Sequence, residues 1–169
     1  MDLLDEILDL ANELTKEDTF LSLTGKPIKK ETEKIWLKNI LKEVKSKKTF
    51  LIWAVDGKKI VGTCDLRAGG TRDAHVCSLG LMVRKAYRQE GIGKFMFEFI
   101  LKKAKELNYK IAKLDVFNDN EIAKGMYAKY GFKEFARLPN GFCRKSKFSD
   151  ALQMYKRLDE PFENTRGKK

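Results

Sequence analysis

The chain is poor in residues that staple or ligate. Among its 169 residues are three cysteines, Cys64, Cys77 and Cys143, and a single histidine, His75. An odd number of thiols without CxxC spacing makes no disulfide framework, and one histidine leaves a structural zinc site short of ligands. No metal is expected. No Cys-His pair is present either, so each cysteine reads as a small apolar residue or an incidental thiol rather than a nucleophile. Long apolar runs are missing as well. Phe95-Met96-Phe97 and Phe99-Ile100-Leu101 are interrupted by charge, far short of the roughly 20 residues that cross a bilayer. The amino terminus, Met1-Asp2-Leu3-Leu4-Asp5-Glu6, is acidic where a secretory leader would be basic. A cytoplasmic protein without a membrane partner is expected. Proline is scarce, three in all, and neither a Ser/Gly/Pro linker nor an internal repeat divides the sequence. One domain over residues 1–158 is expected, followed by a disordered basic tail over 159–169.

What the chain does have is charge. The formal net charge is +11, yet residues 1–20 carry seven acids against Lys16. The excess of bases lies beyond, with nine bases and three acids from Lys26 to Lys48, and eight and three from Arg84 to Lys110. A basic surface attracts polyanions, whether nucleic acid, an acidic partner or a phosphate-bearing ligand; a lysine-rich composition alone gives the same sign. Bases and aromatics do not interleave in a nucleic-acid-binding motif, which argues against nucleic acid.

Periodicity gives the elements. Leu3, Leu4, Ile7, Leu8, Leu10, Ala11 and Leu14 mark an amphipathic helix over 2–14, and Ile35, Trp36, Ile40, Leu41 and Val44 a second over 32–44. Residues 49–55 and 60–66 are β-type runs joined by Asp56-Gly57, a hairpin signal. A third strand over 74–83 leads to a helix of about four turns marked by Ile92, Phe95, Met96, Phe99, Ile100, Ala104 and Leu107. A strand over 111–117, a helix over 120–130 stopped by Gly131-Phe132, and strands over 132–137 and 151–155 complete an α+β domain with a meander first and a βαβ crossover later.

The most informative stretch is Val83-Arg84-Lys85-Ala86-Tyr87-Arg88-Gln89-Glu90-Gly91-Ile92-Gly93-Lys94, two glycines among bases where a strand hands over to a helix. First-turn amides lack intrahelical acceptors, the helix dipole is positive there, and glycine admits a phosphate to the backbone. The same pattern also makes a plain tight turn. It is neither the dinucleotide fingerprint, since Met96 takes the third glycine position, nor the nucleoside-triphosphate loop, since Phe95 follows Lys94.

Arg88-Gln89-Glu90-Gly91-Ile92-Gly93 resembles the Arg/Gln-x-x-Gly-x-Gly/Ala motif of the GNAT family of N-acetyltransferases, and 75–83 resembles that family's fourth strand. Residues 116–132, with Asn120, Ala123, Tyr127 and Gly131-Phe132, are similar to its second signature. The resemblance spans roughly residues 30–157. It implies a mostly antiparallel twisted sheet with one splayed parallel pair, flanked by helices, with the family's first strand absent from this chain. An edge left bare in that way invites pairing with a second copy.

The resemblance implies acetyl-CoA as acyl donor. Backbone groups of Leu81, Met82 and Val83 would pair with pantetheine, and Arg88, Gln89, Glu90, Gly91, Ile92, Gly93 and Lys94 would hold the pyrophosphate. Asn120, Ala123 and Tyr127 share one helix stripe; Asn120 is either a helix cap or a cofactor contact, or both. Tyr127 would be the general acid for the departing thiolate. Many relatives carry Glu at the position of Ser78, which has no base to offer here. His75 is the substitute candidate, with water as its alternative. Acceptor choice is expected to lie with 19–27, 68–73 and 138–147; the last carries Arg144, Lys145 and Lys147, which would repel a cationic polyamine unless acids such as Glu31 or Asp150 line the pocket, so the acceptor is expected to be a peptide amino terminus or a small amino-acid-like amine bearing a carboxylate. A non-catalytic acyl-CoA sensor is the rival reading.

Overall fold

The computed structural model describes residues 2–18, 20 and 26–159. The expected disordered tail lies, apart from Asp159, outside the described residues. The elements run α1 (Leu3–Glu17), α2 (Lys30–Lys45), β1 (Thr49–Asp56), β2 (Lys59–Ala68), β3 (Val76–Val83), α3 (Ile92–Glu106), β4 (Ile111–Phe117), α4 (Glu121–Lys129), β5 (Lys133–Arg144) and β6 (Lys147–Arg157), with a short 3-10 turn at Lys85–Tyr87. The six strands form one sheet in the order β1-β2-β3-β4-β6-β5. Every neighbouring pair is antiparallel except β3 and β4, which are parallel. Among the described residues no strand precedes α1, and β1 is one edge of the sheet.

Strand alternation sorts the side chains into two layers. Cys64, Leu66, Cys77 and Leu79 pack with Met96, Phe97, Ile100 and Ala104 of α3, and Ala123, Met126 and Tyr127 of α4 join that layer. On the other face Ile7, Leu10 and Leu14 of α1 pack with Ile60, Trp53 and Met82. The helix predicted over 32–44 is present, but only Ile40 of its five apolar markers is buried, and Ile35 is 63% exposed. The reason is position: α2 lies against α1 and the edge strand β1, so the sheet offers it little surface to cover.

The last hairpin is longer than its sequence suggests. Its turn is Lys145-Ser146, both with φ in the left-handed region (49° and 58°), a primed-turn geometry without the usual Asn-Gly signal. A bulge inserts Pro139, Asn140 and Gly141 opposite Asp150, whose Oδ1 accepts the Asn140 N–H at 3.0 Å.

Two arginines tie α1 to the chain that follows β3. Arg84 is 0% exposed; it pairs with Asp9 at 2.7 Å and with Glu13, and its Nε donates to the Ile60 carbonyl at 2.7 Å. Arg88 pairs with both carboxylate oxygens of Glu17, at 2.5 and 2.7 Å, and its Nε donates to the Val83 carbonyl at 2.9 Å. Acids at 9, 13 and 17 share one stripe of α1 because four residues are close to one turn. Arg84→Met should lower stability by about 3 kcal/mol, the low end for breaking a buried pair, because Asp9 and Glu13 stay partly solvated. A urea melt with no shift in midpoint would contradict this role.

Candidate active site

The site grows from the one parallel pair. β3 and β4 are paired only at Val76–Ile111, Cys77–Ala112 and Ser78–Lys113. Beyond Ser78 the two strands separate, while β3 stays paired to β2 as far as Val83 and β4 to β6 as far as Phe117. A fork results, and the β3 edge facing it over Leu79–Val83 has no ladder partner. Of the residues named from the sequence, Leu81 and Val83 turn backbone groups to that edge, the Val83 carbonyl accepting the Arg88 Nε–H, whereas alternation turns the backbone of Met82 to Thr63 on β2.

The helices that follow the two fork strands begin beyond its open end. α3 starts at Ile92 with Gly91 as N-cap, in the left-handed region at φ 85°, and has neither a side-chain cap nor an acid in its first turn. Its first helical bond runs from the Phe95 N–H to the Gly91 carbonyl, so the amides of Ile92, Gly93 and Lys94 find no acceptor within the helix. Gln89 is also at positive φ, 67°. A loop and helix start of this kind suits an anion. Lys94 is exposed and makes no ion pair among the described residues; Glu90 is exposed. Arg88 differs from its expected place. Its guanidinium is held by Glu17 and its own N–H donates to the Lys85 carbonyl, so it braces the loop rather than facing a ligand.

α4 starts differently. Asn120 Oδ1 accepts the Ala123 N–H at 3.2 Å, so Asn120 is the cap. Ala123 and Tyr127 share the inward stripe of α4 as expected, and Tyr127 packs on Phe97 and Phe132 with ring centroids 5.2 and 6.1 Å away. Its hydroxyl makes no hydrogen bond among the described residues. Burial, with the Cys64 thiol nearby, pushes the Tyr127 phenol up to about 12. The same burial pushes the Cys77 thiol up to about 12, and Cys64 upward as well. His75 is not brought into this group. It is exposed, just before β3 at the closed end of the parallel pair, with its carbonyl taking the Lys110 N–H. At about 3.3 Å per residue it lies roughly 16 Å along the strand from Gly80.

On the α1–α2 side of the sheet the end of β4 carries an aromatic wall. Phe117 stacks on Phe142 at 4.2 Å and meets Phe20 edge-on at 5.6 Å. The Arg144 guanidinium lies 4.1 Å from the Phe20 ring and pairs with Asp119. Of the segments expected to choose the acceptor, Phe20 of 19–27 and Phe142 of 138–147 thus both contact Phe117, and Arg144 lies over Phe20; residues 19 and 21–25 lie outside the described residues. Sequence reading passed over these contacts, and over Asp65 on β2, which is only 9% exposed. The signal for Asp65 was present: an acid inside the apolar run 60–66 with Arg67 two residues on, on the same face. Among the described residues no three His, Cys, Asp or Glu side chains gather as a metal site, and no helix is long and apolar enough to cross a membrane.

Comparison with known proteins agrees with this geometry. The acetyltransferase (GNAT) family model matches residues 7–132. An uncharacterised N-acetyltransferase in the pepI 3′ region of Lactobacillus delbrueckii subsp. lactis is 32% identical over 92 residues, 52% of this chain and 53% of that protein, so the match spans about half of that relative. The structure of a GNAT-family acetyltransferase from Streptococcus pneumoniae superimposes with a TM-score of 0.80 at 26% identity, over 91% of this chain and 93% of that one. A protein from Salmonella typhimurium, solved with its cofactor acetyl-CoA, shares the fold with a TM-score of 0.78 at 13% identity, over 95% and 92% of the two chains. The chain belongs to the GNAT acetyltransferase family.

The raised thiols give a direct check. Cys143 is exposed and Cys64 and Cys77 are buried. An aromatic disulfide reagent at pH 8 should titrate one thiol rapidly in the native protein and three after denaturation; fast reaction of a second native thiol would contradict the burial of the two core cysteines.

Proposed function

We propose that this protein is an N-acetyltransferase that moves an acetyl group from acetyl-CoA to a primary amine, by direct attack in a ternary complex. The observation that carries this reading is the fork between β3 and β4, with the uncapped start of α3 beyond its open end; Tyr127 lies in the α3 layer near Cys64, the register partner of Leu81 on the fork strand. Acetyl-CoA fits the groups left without partners. Its amide-bearing pantetheine arm matches the bare β3 edge at the Leu81 N–H and C=O and the Val83 N–H, with Met82 between them bonded to β2, and its pyrophosphate matches the amides of Ile92, Gly93 and Lys94. Gln89, Glu90 and Gly91 shape that loop, Arg88 braces it against α1, and Asn120 and Ala123 set the start of α4. The solved Salmonella relative with acetyl-CoA supports the choice of donor.

The chemistry follows from what the residues hold. The donor supplies an activated thioester carbonyl. Backbone N–H groups on the β3 edge are available to its oxygen as negative charge develops there. The Tyr127 phenol, far above its ordinary value, keeps its proton at neutral pH. It therefore has a proton to give to the departing sulfur. No buried cysteine offers a thiolate at neutral pH, which favours direct transfer over a covalent cysteine intermediate. The acceptor reaches the carbonyl from the opposite face, beside the wall of Phe20, Phe117 and Phe142. A peptide amino terminus or a small amine fits that open approach.

Tyr127→Phe should lower kcat about 100-fold while the Kd for acetyl-CoA changes less than twofold. The pair is measured by label transfer from acetyl-CoA into lysate proteins and metabolites and by calorimetry. Unchanged turnover would remove Tyr127 from the mechanism, and tight acetyl-CoA binding without transfer to any amine would favour a non-catalytic sensor.

A further inference from the structure

An amine that is an ammonium in water must lose a proton before it attacks, and the two positions considered for that task do not serve. Ser78 carries no base, and His75 stands at the closed end of the parallel pair. A carboxylate does stand at the fork. Asp65 pairs in register with Gly80, two residues past the last β3–β4 pair. Cys64 and Leu66 face the α3 layer, so alternation turns Asp65 to the α1–α2 face, the side from which the acceptor comes.

A methyl group at position 80 would lie 2.6 Å from Asp65 Oδ1. Glycine there is what lets the carboxylate lie across β3 toward the gap. The two oxygens are not alike: Oδ2 accepts the Arg67 Nε–H at 2.8 Å, whereas Oδ1 accepts no hydrogen bond among the described residues. Opposite, continuing the parallel register from Ser78–Lys113 sets Asp115 level with Gly80, on the same face as Asp65. Asp115 is exposed and one of its oxygens already accepts the Gln153 amide at 2.9 Å.

We propose that Asp65 is the acceptor-side base, and that the fork takes a cationic primary amine, its ammonium drawn between Asp65 and Asp115. This rests on the acetyl-transfer reading above. Asp65 Oδ1 accepts a proton from the ammonium, and the freed electron pair on nitrogen attacks the thioester carbonyl carbon. The C–N bond forms and the C–S bond breaks. The sulfur leaves with the bonding pair and takes the Tyr127 proton; the second proton shed by nitrogen as it becomes an amide restores the phenol, and the proton on Asp65 passes to water.

The charged groups facing Asp65 are Arg67 on its own strand, Glu43 from α2 and, across the fork, Asp115 on β4. Its register neighbours, Leu51 on β1 and Gly80 on β3, are uncharged. Burial raises its carboxyl above the ordinary value, Arg67 opposes that, and Glu43 adds to it. The base form is therefore lost as pH falls through a value above the usual Asp range, and the rate falls with it.

The test measures thiol release from acetyl-CoA between pH 5.5 and 10, with a peptide bearing a free amino-terminal alanine and with 1,4-diaminobutane as probes. Asp65→Asn should lower kcat/KM for the accepted probe about 100-fold at pH 7 while leaving the Kd for acetyl-CoA unchanged. Its rate should then climb about tenfold per pH unit toward the ordinary pKa of the amine, where the free base forms without help. Gly80→Ala, which displaces the carboxylate without removing it, should show the same alkaline recovery. A wild-type pH profile in Asp65→Asn overturns the proposal. A wild type that binds acetyl-CoA and acetylates neither probe overturns the transfer reading instead, and this proposal with it.

Discussion

Everything in this molecule depends on where the β3–β4 ladder stops. Three parallel residue pairs are enough to join the two halves of the sheet, and each half is separately secured, β3 by seven antiparallel pairs to β2 and β4 by seven to β6. The strands are thus held apart without being frayed. A buried strand edge left unpaired costs free energy unless something bonds to it. In the proposed reaction donor and acceptor meet at this gap from opposite layers.

Keeping the gap useful requires the loop above it to be held still. Two arginines do this by reaching across to one stripe of α1: Arg84, wholly buried, to Asp9 and Glu13, and Arg88 to Glu17. Three of the seven acids of residues 1–20 are held by these arginines, Asp5 pairs with Lys30 and Glu6 accepts the Ile60 N–H, so most of the acidic opening of this basic chain serves the fold. With Arg88 occupied, the proposed anion binding at this loop would fall to backbone amides, to the α3 dipole and to Lys94. The two helix starts divide the work: α4 is capped internally by Asn120, and α3 is left uncapped.

Much of this was legible in the sequence for local reasons. Asp56-Gly57 marks a hairpin because Gly57 sits at φ 58°, and the period changes at 83 and 117 mark strand-to-helix units whose bounds the structure reproduces closely. The two motifs carried the fold class, the fork strand and the stripe of Asn120, Ala123 and Tyr127. What was not legible is tertiary. The length of β5 and β6 was hidden by a Lys-Ser turn and an Asn140 bulge. The partners of Arg84 and Arg88 lie about seventy residues away. Asp65 reads as one polar residue in a strand until the register sets it over Gly80. His75 was a candidate base for its imidazole alone; the register that sets it before the closed end of the parallel ladder is tertiary.

The most direct test of the account is amide hydrogen exchange with and without acetyl-CoA. Protection should appear at Leu81 and Val83, whose N–H groups face the bare edge of β3, and at Ile92–Lys94 in the first turn of α3, with little change elsewhere, the Met82 N–H being bonded to β2 already. Protection confined to the groove between β1 and α3, lined by Trp53, Val55, Phe95 and Phe99, or no protection at either segment, would contradict the claim that the fork is the binding site.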